Sequence, residues 1–193
     1  MPVILVPRPP PILVPRARRF RVRGADSCPV GPYYGTVLTN TAVGDVAWAN
    51  PADARLSDNV YATATTVLQT TQQLMATGFD FQIPTDQQID GIVVECEASS
   101  TLGGDTVLCR IMKASMVSAT SRSNTWENVE AQVSYGSSTD LWGETWTPAD
   151  INAVGFGVSV RQETGLTATL SCDAIRITVY CSVPVVTTPT GTT

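Results

Sequence analysis

Residues 141–181 read LWGETWTPADINAVGFGVSVRQETGLTATLSCDAIRITVYC and contain two β-type runs, Phe156–Arg161 and Ile175–Cys181. In the second run Ile175, Ile177, Val179 and Cys181 alternate with Arg176, Thr178 and Tyr180. Alternation with a period of two marks a strand with one face in a core and the other toward water or a neighbour. Between Trp146 and the first run, Thr147-Pro148-Ala149-Asp150 predicts a short helical turn, with Thr147 as cap and Pro148 in the first position.

Moving outward, the same periodicity recurs. In DTVLCRIMKA (105–114), Val107, Cys109 and Ile111 share a face; in IDGIVVECEA (89–98), Ile92, Val94, Cys96 and Ala98 oppose Val93, Glu95 and Glu97. A hairpin centred on the loop at 99–104 would place Cys96 opposite Cys109, both on the apolar face, as small apolar residues rather than a bridge. Further upstream, Phe79, Phe81 and Ile83 alternate with polar neighbours until Pro84, and a Thr-rich strand starts near Tyr61. A short strand is expected near Val129–Tyr135 and a turn at Gly136–Asp140. Residues 25–60 read as irregular, with Trp48 and Tyr61 as packing anchors.

The expected fold is therefore all-β: an antiparallel, jelly-roll-like β-sandwich of about eight strands over residues 46–183. A polar, proline-broken tail follows at 184–193, and residues 1–45 form an extended arm and linker. Composition agrees. Charged residues are only 15% of the chain, whereas 13 prolines and 14 glycines favour short strands joined by turns.

The arm reads MPVILVPRPPPILVPRARRFRVRG, with the pentapeptide ILVPR at 4–8 and again at 12–16. Its prolines forbid a helix and a central strand, leaving extended or polyproline II backbone. Such a segment has nowhere of its own to bury Ile4, Leu5, Val6, Ile12, Leu13 and Val14. Residues 1–25 also hold six arginines (Arg8, Arg16, Arg18, Arg19, Arg21 and Arg23) and no acid, so the arm is +6 within a chain whose net charge is −5. The remaining residues carry −11. These features predict an arm that orders against a neighbouring subunit, its apolar residues in a groove and its arginines on acidic groups. Six arginines would also suit phosphates, but the acidic body disfavours nucleic acid as a partner.

Catalytic classes find little support. The chain has no histidine and a single lysine, Lys113, and its five cysteines lack C-x-x-C spacing. This removes the usual general base and the common zinc arrangements. No serine-hydrolase or phosphate-loop motif occurs. The carboxylate pairs Glu95/Glu97, Glu127/Glu130 and Asp140/Glu144 read as solvated strand and loop acids rather than a glycosidase pair. Asp86, Asp90, Asp105 and Asp140 sit at strand ends, where calcium is a minor alternative. No cofactor, metal or catalytic residue is assigned. Trp126, Trp142 and Trp146 are candidates for a sugar-stacking platform, against the more ordinary reading of core or edge packing. No signal peptide is recognisable, and no apolar run approaches the ~20 residues needed to cross a bilayer. The chain is expected to be soluble and made in a cytoplasm.

Taken together, FDFQIP (79–84), IDGIV (89–93), YGSSTDLWG (135–143), WTPADI (146–151), GFGVSV (155–160) and DAIRITVY (173–180) resemble a β-sandwich domain that recurs in virion proteins of tailed bacteriophages and related prophages. The resemblance spans roughly residues 48–181 and rests on the order and spacing of the blocks. It implies a non-enzymatic virion role: a capsid decoration or cement protein present in many copies and contacting capsid or other virion proteins, or else a tail, neck or fibre component. The arm lies outside the resembling pattern. A carbohydrate-binding module using Trp126, Trp142 or Trp146 is the alternative from another class.

Overall fold

The computed structural model describes residues 28–163 and 167–184. The arm residues Ile4 through Arg23 therefore lie outside the described residues, as does nearly all of the tail. Eleven strands are described: β1 (Val30–Tyr34), β2 (Val37–Asn40), β3 (Ala62–Thr66), β4 (Leu74–Thr77), β5 (Gln88–Ser100), β6 (Asp105–Lys113), β7 (Met116–Val117), β8 (Arg122–Trp126), β9 (Ala131–Ser137), β10 (Gly157–Gln162) and β11 (Ala168–Ser182). A 3-10 turn, Pro51–Ala54, and one short helix, α1 (Pro148–Asn152), complete the set. Among the described residues no helix is long and apolar enough to cross a membrane.

The strands form two antiparallel sheets. In the first, β5 lies along one side of β11 and is followed by β9, while β1 and β3 share the other side of β11. In the second the order is β2-β4-β10-β6, with β7 and β8 sharing the far side of β6. The two runs that opened the sequence reading are thus interior strands of different sheets. Setting aside β1, β2 and the two-residue β7, the eight remaining strands lie in the orders β3-β11-β5-β9 and β4-β10-β6-β8. That is a jelly roll, in which the chain keeps crossing between two facing sheets.

This crossing corrects the expected hairpin. β5 and β6 do not pair: β5 bonds to β11 and β9, and β6 to β10, β7 and β8. The loop at 99–104 carries the chain from one sheet to the other, helped by positive φ at Gly103 and Gly104. The predicted faces nevertheless hold, because alternation reports which side is buried and not which strand is next door. Ile92, Val94, Cys96, Val107, Cys109 and Ile111 are all fully buried, the β5 set facing the β6 set across the core. Cys96 and Cys109 are free thiols, and burial pushes the Cys109 thiol well above its ordinary pKa.

The sandwich also begins earlier than expected. β1 and β2 fall inside the segment read as linker, yet they bond to β11 and β4. Alternation was hidden there by Pro32, which lies within β1, and by the brevity of β2, only four residues long. Phe79, Phe81 and Ile83 point inward as predicted, but their backbone joins no ladder. The side chain of Asn152 takes the place of a neighbouring strand, accepting from the Ile83 amide at 2.8 Å and donating to its carbonyl at 2.9 Å. The predicted cap of α1 is present, with Thr147 and Asp150 forming a reciprocal capping box.

Candidate interaction surface

The three candidate sugar-stacking tryptophans do not form a platform. Trp126 and Trp142 are 0% exposed and Trp146 is half-buried. Each indole N–H is used internally: Trp126 donates to the Tyr135 hydroxyl, Trp142 to the Ile92 carbonyl and Trp146 to the Leu141 carbonyl, all at 2.9 Å. Trp142 rests on Gly136, whose φ of +77° and missing Cβ leave room beneath the indole. The sugar-stacking assignment of Trp126 and Trp142 is therefore overturned: a ring with no accessible face has nothing to stack on a sugar.

The paired carboxylates are likewise committed to structure. Glu95 pairs with Arg176 at 2.9 Å across β5 and β11. Glu127 accepts from Thr125, and Glu144 accepts from Ser118. Asp105, fully buried, accepts from Gln162 at 2.9 Å and from Ser100, which joins the two sheets at one end of the sandwich. The four acids considered for calcium do not gather. A different trio does: Glu97, Glu130 and Asp173 bring one oxygen each to within 4.8 Å of one another. Asp173 accepts from the backbone amides of Asp58 and Asn59, and Glu130 accepts from the Tyr61 hydroxyl at 3.0 Å. The bond to Glu130 holds the Tyr61 phenol above its usual pKa. These bonds pin the crossing segment near residues 58–61 to the first sheet, which explains why Tyr61 acts as an anchor.

Arg122 grips Asp140 with Nε and Nη2, both at 2.6 Å, and lies 5.4 Å from the centre of the Trp142 ring. The guanidinium holds the Asp140 carboxyl below its ordinary range. Its contribution to stability is therefore complete above the unfolded value of about 3.9 and fades as pH falls toward the lowered folded value. Asp140→Asn is expected to lower the melting temperature at neutral pH. The mutant and parent curves should then converge as pH falls from about 5 toward 2. A constant gap across that range would contradict the assignment.

Two features were not legible in the sequence. The first is a disulfide between Cys28 and Cys181, with Cα atoms 5.4 Å apart at a sequence separation of 153. It fastens the entry to β1 onto the last turn of β11, so the point at which the chain joins the body is fixed. The only available signal was that these two cysteines, alone of the five, bracket the body.

The second feature is a groove beside the turn from β1 to β2. One part, of about 350 Å³, runs between the Gly78–Asp80 stretch and the end of α1, with Ile151 and Val154 on its far wall and Phe79 and Phe156 in its lining. A second hollow of about 370 Å³ shares Thr36 and the Gly78–Asp80 wall and continues to Tyr33, Tyr34 and Gln82. Behind this wall stands an aromatic cluster: Tyr33 on Phe81 at 5.1 Å, Phe81 on Phe156 at 5.8 Å, and Phe156 on Trp146 at 5.6 Å. The rim exposes apolar side chains, with Tyr33 41%, Val37 54% and Val154 91% accessible. Among the described residues, Asp80 is the only charged one lining either part.

Compared with known proteins, the chain matches no protein-family model and no curated sequence.

Proposed function

We propose that this chain is a non-enzymatic structural component of a tailed-bacteriophage particle, a decoration or cement protein fastened to capsid or to neighbouring subunits by its N-terminal arm. The observation that carries the reading is the division of labour between body and arm. The body is a jelly roll whose tryptophans and paired acids are largely taken up in holding the fold together. The basic, apolar segment before Cys28 joins this body at a point fixed by the bond to Cys181. An extended arm adds apolar burial and backbone bonding across a subunit boundary without enlarging the core. Repetition over many copies then turns modest contacts into firm attachment. The arm's +6 against the body's −11 supplies attraction toward acidic protein surfaces of the same kind. The resemblance of the sequence blocks to phage virion β-sandwich domains supports the same reading.

The test is removal of residues 2–24. Among the described residues the buried core runs from Leu38 onward with Val30 packed against it, and every described strand lies beyond residue 24. The truncated body is therefore expected to fold and to lose incorporation into particles.

A further inference from the structure

The groove beside the β1–β2 turn and the repeated ILVPR motif are complementary in polarity and charge. The groove lies where β4 ends and β10 begins, between Thr36, the Gly78–Asp80 stretch and the end of α1, and its walls are mainly apolar. Pockets of this kind give selectivity for the side chains of an extended peptide.

The arm contains a matching ligand. Val3–Val6 is a proline-free apolar run of four residues, ended by Pro7. Ile4, Leu5 and Val6 supply apolar side chains for the Tyr33, Phe79 and Val154 surfaces, and Arg8 supplies a cation for Asp80. The second copy of the motif, 12–16, repeats the offer with Arg16. A groove lined, among the described residues, by one carboxylate and no base selects for such a cationic apolar segment.

We propose that this groove is the socket for the ILVPR motif of a second copy of the chain, so that copies link arm to body. The occupant is a second copy because the arm and the body carry opposite charge, which draws separate copies together. An extended segment of 27 residues also reaches up to ~90 Å, far enough to span to a neighbouring body. Such a head-to-tail contact closes into a ring or continues along a surface, as a repeated coat component requires.

The inference rests on the reading of the arm as the fastening device. Its test uses the full chain carrying a photo-crosslinking amino acid at position 154, mixed with ¹⁵N-labelled full chain and analysed by mass spectrometry. The expected products join position 154 to residues 3–16, with unlike isotopes in the two linked peptides. In parallel, Val154→Lys, at a position exposed enough not to disturb folding, should weaken self-association by about tenfold or more, and Asp80→Asn should weaken it less. Crosslinks confined to like isotopes, crosslinks elsewhere or the absence of any would overturn the socket. Self-association unchanged by Val154→Lys but lost on deleting residues 2–24 would also overturn it, while leaving the arm's fastening role intact. Insensitivity to both changes would overturn the socket and the arm reading together.

Discussion

Replacing Trp142 by alanine is expected to lower the free energy of unfolding by about 3–5 kcal/mol, a large part of the roughly 5–15 kcal/mol that keeps a domain folded. Several effects act together at this position. The indole is wholly buried, so the substitution removes apolar area from the core and leaves a cavity above Gly136. It also deprives the Ile92 carbonyl of its indole donor and Arg122 of the ring it lies against. Finally, Trp142 has a φ of +58°, a left-handed backbone stabilised by its N–H bond to Asp140 and by the packing of its own ring. Trp146→Ala, at a half-buried position, should cost well under half as much. Urea unfolding of the two variants checks the order, and equal losses would mean that the two rings share the same environment.

Opening the Cys28–Cys181 bond is the second large effect. The bond closes a loop of about 150 residues, nearly the whole body. Chain entropy assigns a loop of that length a stabilisation of about 5 kcal/mol, and measured values for native disulfides run at about 2–5. Reduction, or Cys28→Ser, is therefore expected to lower the unfolding midpoint in urea sharply, and reductant should then have no further effect on the variant. The buried thiols Cys96, Cys109 and Cys172 should stay inaccessible to alkylation in the native state under both conditions. A midpoint unmoved by reductant in the parent protein would mean that the two cysteines are not paired in solution.

Much of this fold was legible because period-two burial is a local property. The faces of Ile89–Ala98, Val107–Ile111 and Ile175–Val179 follow directly from which residues must leave water. Strand partnership is not local. The 99–104 loop has the glycines of a tight turn, yet it crosses between sheets, because β5 is paired on both sides by β11 and β9 while β6 is paired by β10 on one side and by β7 and β8 on the other. The edge strands β1 and β2 escaped notice because both are short, β1 is interrupted by Pro32, and their pairing depends on strands more than 30 residues away. The groove was equally invisible, since Tyr33, Asp80 and Val154 meet only after folding. The tryptophans illustrate the converse: an indole in a polar-looking segment such as LWGETW can still be core when its N–H finds a carbonyl within the fold.

The central claim, that the arm fastens a self-sufficient jelly-roll body to a viral particle, is tested most directly by co-sedimentation. Full-length chain and chain lacking residues 2–24 are each mixed with particles from which the native protein has been stripped, and the fraction that pellets is measured. The account predicts that full-length chain pellets in a salt-sensitive manner, while the truncated chain stays in the supernatant with its cooperative melting transition retained. Equal pelleting of both chains would contradict it, since the body alone would then carry the binding.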